Sequence, residues 1–214
     1  DKTLDILEEF RQKSPFLVRI FRNEKNLGFI KNFERVLSLC EGDIIALSDQ
    51  DDVWFNTKLQ VYQQFFANNP HIMVAINDQL ICDSNLESTG LTKIQNIRSL
   101  GLPVSSFITG CCTVIRKDWL SIVLPIPSQI GAHDTWINSL ADILKTKFIL
   151  DIPLQFYRRH HTNTSNHIIS SMQPLSRFAL LKESGLKDVR ETWKKNIENT
   201  FLYADRLKSC HEEL

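Results

Sequence analysis

An α/β domain built on a mostly parallel sheet, with helices on both faces, is the fold class the sequence predicts. Three observations carry that expectation. Short runs of β-branched and aromatic residues alternate with stretches that are apolar at helical spacing, the order that produces parallel strands joined by helical crossovers. Ile44 to Ser48 is a near-continuous uncharged run of strand length, the pattern of a central strand covered on both faces. The 214 residues suffice to bury one core without disulfides.

Taken in order, Asp1 or Thr3 caps a helix whose inner face is Leu4, Ile6, Leu7 and Phe10, and Pro15 stops it. Phe16 to Phe21 reads as a short strand and Asn23 to Gly28 as the loop after it. A second helix carries Phe29, Phe33, Val36, Leu37 and Cys40 inward and ends near Gly42. After the strand at Ile44, Asn56 to Asn69 forms a helix with Leu59, Tyr62, Phe65 and Phe66 toward the core. Ile72 to Cys82 returns to strand character, interrupted by Asn77 and Asp78. Leu86 to Pro103 reads as a loop region with one short helix. The stretch from Ser105 is strand-like with a bend at Thr109 to Cys112, and a helix starts near Lys117. His133 and Asp134 open a helix that buries Ile137, Leu140, Ala141 and Leu144, and Phe148 to Phe156 is the last strand. Leu175 to Leu207 carries a helical stripe of Phe178, Leu181, Leu186, Val189, Trp193, Ile197, Phe201 and Ala204, broken at Gly185. The expected division is residues 1–170 as the main domain and 171–214 as a C-terminal amphipathic extension.

Charge balances at 25 basic against 25 acidic residues, so net charge points to neither a nucleic acid nor an anionic membrane as partner. Five cysteines without CxxC spacing form neither a disulfide framework nor a zinc knuckle, and read as reduced thiols of a cytoplasmic protein. No apolar run has the length that spans a bilayer.

The segment DIIALSDQDDVWF poses the chemical question, because Asp49, Asp51 and Asp52 crowd three like charges into four positions. In extended chain, residues two apart project the same way, so Asp49 and Asp51 converge while Asp52 points elsewhere. A hard cation, Mg²⁺ or Mn²⁺, resolves the repulsion, taking carboxylate, phosphate and water oxygens. A solvated acidic loop capping the next helix is the alternative, and the ends of buried strands, where ligands gather in such sheets, favour the ion.

These residues carry a resemblance. NEKNLGFIKNFERVLSLCEGDIIALSDQDDVWF is similar to the family-2 inverting glycosyltransferases, and LSDQDDVW resembles their bacterial rhamnosyltransferase-like branch, which builds cell-surface polysaccharides. The likeness continues in family order through FITGCCTVI, AHDTWI and FYRRHHTNTS, and so covers roughly residues 1 to 166. It implies the GT-A nucleotide-sugar-binding fold and transfer of a sugar from a nucleotide-diphosphate donor to a saccharide or lipid-linked saccharide hydroxyl. By resemblance, Asp51 is the principal metal carboxylate, Asp49 contacts the ribose or shares the metal, and His160 reaches back to the metal or phosphates. Arg158 suits a phosphate because its planar fork donates two hydrogen bonds at once. Asp134 matches the catalytic base, with a helix cap as its alternative role; many relatives carry Glu where this chain has His133. Asn26, Lys31 and Asn32 match the nucleotide side, with a loop Asn and a solvated Lys as alternatives. Gly110 would let backbone approach the donor sugar, or simply form a tight bend, and Trp54 and Trp136 offer apolar faces to sugar rings or pack in the core. His133 joins them on the donor or acceptor side.

Family members begin with a strand and an acidic motif, roughly DDGSxD, of which Asp1 would be the last residue; the resemblance therefore implies a sequence truncated at its front, and a non-catalytic remnant is one alternative. A second alternative is a Mg²⁺-dependent phosphatase, since an apolar strand followed by DxDxV fits that pattern, although its downstream GDxxxD is absent. For the C-terminal helices, packing on the main domain, a homodimer contact and attachment to the inner face of a membrane carrying a lipid-linked acceptor all stay open.

Overall fold

Runs of β-formers need backbone partners. In the computed structural model, which describes residues 2–160, 168–176 and 189–212, they find them in one six-stranded sheet. The strands are β1 (Ile44–Ala46), β2 (Val53–Trp54), β3 (Val74–Cys82), β4 (Ser88–Thr92), β5 (Thr113–Arg116) and β6 (Lys147–Arg158). Their order is β1-β5-β3-β6-β2, with β4 also on β3. The helices are α1 (Thr3–Lys13), α2 (Gly28–Ser38), α3 (Lys58–Asn68), α4 (Lys93–Ser99), α5 (Leu120–Val123), α6 (His133–Ile143) and α7 (Val189–Glu212).

Alternation along the strands sorts the helices onto two faces. Ile45, Val74 and Ile115 project into a core with Leu37 of α2 and Trp136, Ile137 and Leu140 of α6. Ala75 and Val114, one residue along, meet Tyr62 and Phe66 of α3 on the opposite side. A third cluster joins Ile76 and Ile81 of β3 to Ile94 and Ile97 of α4, Phe107 and Tyr157. Each fully buried side chain of this size contributes roughly 1.5–3 kcal/mol. The α/β expectation with helices on both faces therefore holds.

The direction of the strands is corrected. Only β3 and β6 run parallel; β1/β5, β3/β5, β3/β4 and β2/β6 are antiparallel. The reason lies in the connections: the turn Asp83–Glu87 is too short for a crossover and folds β4 back on β3, whereas α6 separates β5 from β6. The run at Ile44 pairs on one side only, with β5, and is not a central strand. The supposed loop Leu86 to Pro103 holds β4 and α4, the latter started by a capping box between Thr92 and Gln95. Phe16 to Phe21 forms no strand, because no described strand lies beside it to take its hydrogen bonds. Helix α1 forms as expected, yet none of its residues is buried and its apolar face stays exposed. Leu59 and Leu144, expected inside, are exposed at the rims of their helices.

Helix α7 packs on the main domain through a different stripe from the one expected. Leu202, Tyr203 and Leu207 join the α2/α6 core, with Tyr203 stacked on Trp136 at 5.2 Å. Arg206 fans its guanidinium over the carbonyls of Ser121, Ile122 and Leu124, satisfying the C-terminal end of α5. Those anchors turn Trp193, Ile197 and Phe201 outward. Phe178, Leu181, Gly185 and Leu186 lie outside the described residues, as does the side chain of Val189.

Candidate active site

The acidic loop follows β1 and returns as β2, which pairs with the end of β6 through Val53 with Phe156 and Trp54 with Gln155. This pairing brings Asp52 onto β6, where its carboxylate accepts from Gln155 Nε2 at 2.8 Å and from the Arg158 amide at 3.2 Å. Gln155 in turn accepts from Lys58 Nζ at 2.5 Å and shares Gln79 with the thiols of Cys111 and Cys112. Lys58 also donates to the Cys111 carbonyl and lies over the Trp54 ring at 4.2 Å. Asp52 is thus tied into a buried polar network, while a carboxylate oxygen of it stays within 4.8 Å of one of Asp49. Burial pushes its carboxyl up, and hydrogen bonds from Cys111 and the Arg158 amide pull it partway back.

Asp49 and Asp51 stay half-buried at the surface of the loop. Burial, then the charges of Asp52, Asp51 and Asp134, push the Asp49 carboxyl up to about 6, with Lys93 acting in the opposite direction. His160 Nε2 lies 2.8 Å from Asp51 Oδ2, although 109 residues separate them. The side chain of Arg158 is half-buried, and its charge acts on the Cys82 thiol. His161 to His167, the rest of that motif, lie outside the described residues.

On the other side, the first turn of α6 carries His133 and Asp134, with Asp134 Oδ1 accepting from the Thr135 amide at 2.7 Å. His133 is held by rings: it stacks on Phe33 of α2 at 3.8 Å and meets Phe29 edge-on at 6.1 Å. Burial lowers the pKa of its imidazole, which therefore favours the neutral form. Gly110 serves this ring. A Cβ there would sit 3.1 Å from His133 Nε2 and 3.7 Å from Asp134 Cβ, so the space the glycine leaves is filled by His133 instead of by a sugar.

One further expectation is corrected. Trp136 is fully buried, donates to the Val123 carbonyl at 2.8 Å and stacks on Tyr203, so it is core and presents no face to a ligand. Lys31, partly exposed, donates to Glu34 and to the Ile126 carbonyl, both at 2.7 Å, partners that a diphosphate would have to share. Trp54 has one ring face covered by Lys58. Asn26 and Asn32 do share a cavity of about 380 Å³ with Asn23, Lys25, Leu27, Gly28 and Phe29. In it Asn26 Oδ1 accepts from the Gly28 amide, and Asn32 Oδ1 accepts from Asn23. Phe29 links this cavity to His133.

Sequence reasoning missed the polar residues under the site. Gln79 and Gln155 are fully buried, as are Lys58 and Asn77, and Asp78 accepts from the Ile94 and Gln79 amides at a bulge in β3. The signal was present in the run Asn77, Asp78, Gln79: three polar residues inside a strand demand buried partners.

The donor chemistry suits a hard cation. Two ligands of an octahedral ion at about 2.1 Å lie about 3 Å apart, and the Asp51–His160 separation is close to that. Among the described residues, Asp49, Asp52 and Cys111 also bring ligand atoms within 4.8 Å of one another. That set fits less well, because the hydrogen bond with Cys112, and then burial, push the Cys111 thiol well up and favour its protonated form, and Asp52 is already tied to β6.

The family described as Glycosyl transferase family 2 matches residues 1–123. A dTDP-rhamnosyl transferase of Shigella flexneri, RfbG, is 26% identical over 194 residues, 85% of this chain and 67% of that protein. An uncharacterized protein of Mycobacterium tuberculosis is 24% identical over 165 residues, 75% of this chain and 47% of its own length. Among solved structures, residues 1-349 of S. aureus TarS, in complex with UDP-GlcNAc, align with a TM-score of 0.53 at 17% identity, covering 80% of this chain and 49% of that one. The chain spans about two thirds of the Shigella relative and about half of the other two.

Proposed function

The chain belongs to glycosyltransferase family 2, and on that premise we propose that it is a metal-dependent inverting transferase. It moves a sugar from a nucleotide-diphosphate donor to a saccharide or lipid-linked saccharide hydroxyl in bacterial cell-surface polysaccharide synthesis. The resemblance of LSDQDDVW and the Shigella relative favour rhamnose as the sugar. In the proposed reaction the acceptor oxygen attacks the anomeric carbon from the face opposite the diphosphate. The new carbon–oxygen bond forms as the old one breaks, and its electron pair leaves on the diphosphate oxygen. The acceptor proton passes to the Asp134 carboxylate.

The reading rests on one observation: Asp51 and His160 meet at 2.8 Å beside Asp49, whose carboxyl feels the charge of Asp134. Asp49, Asp51 and His160 would hold Mg²⁺ or Mn²⁺, and such an ion, when bound, offsets the charge of the departing diphosphate. By resemblance Arg158 would take a phosphate, and Asn26 and Asn32 line the cavity proposed for the nucleoside. His133 and Gly110 hold the Asp134 end of the site in register.

No helix among the described residues is long and apolar enough to cross a membrane. The proposed setting is the cytoplasmic side of the membrane, where a lipid-linked acceptor would be reached. Calorimetry with dTDP and UDP, with and without Mn²⁺, tests the donor side. Metal-dependent binding of either is expected, and the absence of binding to both would refute the reading.

A further inference from the structure

Two lysines lie beneath the acidic loop, and they differ in what holds them. Lys58 is fully buried, but its ammonium has Gln155 Oε1, the Cys111 carbonyl and the face of Trp54 as partners. Lys93, at the start of α4, is only 4% exposed. Its Nζ lies 3.6 Å from the centroid of the Tyr157 ring, and among the described residues no hydrogen bond or ion pair is made to it. Taking an ammonium out of water costs more than a cation–π contact returns. The ring alone does not offset that cost. The counter-charge is the acidic loop, which reaches this point of the fold through Asp52, bound by the amide of the residue that follows Tyr157.

Such a group is a fixed cation with hydrogen-bond donors to spare, kept beside carboxylates that themselves gather a metal ion. Tyr157, which carries it, immediately precedes Arg158, whose amide binds Asp52. An ammonium has three donors, and none of them is used in a hydrogen bond among the described residues.

We infer that Lys93 is a diphosphate-binding residue: its ammonium donates to the phosphate oxygens of the nucleotide-diphosphate donor and of the nucleoside diphosphate that leaves. The charge is preorganised, since the ring and the loop hold it in place before the ligand arrives, so no reorganisation accompanies its contact with the developing negative charge. The inference rests on the transferase reading above and adds to it a residue that nothing in the motifs indicates.

The test uses the full chain and the probes dTDP and UDP in calorimetry with Mn²⁺, alongside Mn²⁺ alone. Lys93→Met is expected to weaken binding of the nucleoside diphosphate by about 10- to 100-fold, the worth of a charge-assisted hydrogen bond. Its affinity for Mn²⁺ alone should be unchanged or tighter, because a positive charge beside the carboxylates has gone. Lys93→Arg should recover most of the nucleotide affinity. A merely structural lysine would instead lose metal, nucleotide and thermal stability together, and that result overturns the inference. Nucleotide binding by Lys93→Met equal to wild type overturns it while leaving the transferase reading intact. Failure of the wild type to bind either nucleotide overturns both. Should Lys93→Met not fold, ¹³C NMR of the lysine side chains decides on the wild type. The Lys93 resonance should shift when dTDP and Mg²⁺ are added, and a resonance that stays in place overturns the inference.

Discussion

The acidic loop and the first turn of α6 lie within electrostatic range of each other, yet they are held by opposite means. The loop is pinned from below by polar atoms: Asp52 to Gln155 and the Arg158 amide, Gln155 to Lys58, and Gln79 to two thiols. The start of α6 is wedged by rings, with His133 between Phe33 and Phe29 and against Gly110. The difference matches what each side has to manage. A loop that gathers like charges needs fixed donors and cations beneath it, since unpaired buried charge is expensive. A lone carboxylate in the role proposed for Asp134 needs position more than charge, and an apolar wedge supplies position.

The largest effect expected from breaking this contrast is at Asp134. Asp134→Asn should lower the transfer rate by about 10²- to 10⁴-fold, with binding of dTDP or UDP in the presence of Mn²⁺ unchanged. Turnover kinetics and calorimetry on the same preparation check both halves. A variant that retains its turnover would remove Asp134 from the role of base.

On the loop side, the raised Asp49 carboxyl would make the proposed metal binding depend on pH. A ligand must be deprotonated to hold the ion, so Mn²⁺ affinity should fall by up to about tenfold per pH unit below about 6, the value to which Asp49 is pushed. The metal-free protein should show the opposite trend. Its Asp49 holds a proton more tightly than the ordinary value of 3.8, so the stabilising contribution of that proton is present at low pH and is lost as pH rises through about 6. Mn²⁺ titrations and denaturant midpoints between pH 4 and 8 read the two trends separately.

Next in size is the polar scaffold itself. Gln155→Leu removes the shared partner of Lys58 and Asp52 and should destabilise the protein by about 1–3 kcal/mol, read as a lower urea midpoint with an unchanged slope. An equal loss from a matched cut on the ring side, such as Phe33→Leu, would erase the contrast between the two sides. The smallest effect is expected at Lys31. Lys31→Ala loses a partly exposed pair with Glu34, worth under about 1 kcal/mol, and should leave nucleotide affinity as it was. A tenfold loss of dTDP affinity would return Lys31 to the diphosphate.

Period-2 and period-3.6 patterns located most of the elements, because hydrophobic spacing is a local property: β3, β6, α2, α3 and α6 fall where the sequence put them. The acidic loop was legible for the same reason, since three crowded carboxylates are unusual wherever they fold. The failures share a cause. Phe16 to Phe21 reads as a strand and is not one, Ile44 reads as central and pairs on one side, and the Trp193, Ile197, Phe201 stripe faces out. In each case the pattern recorded that a surface is apolar, and partners distant in the chain decided whether anything covers it.

The residues by themselves determined the periodicities, the charge crowding at Asp49, Asp51 and Asp52, and the isolated Asp134 at a helix start, because these depend only on neighbours along the chain. Only the tertiary structure decided the mixed direction of the sheet, the burial of Trp136, the use of Lys31 on Glu34, the seating of His133 in the space beside Gly110, and the contact of Asp51 with His160. Those outcomes depend on which distant segments meet and on which polar groups must find partners once water is excluded, and neither is a property of any short stretch of sequence.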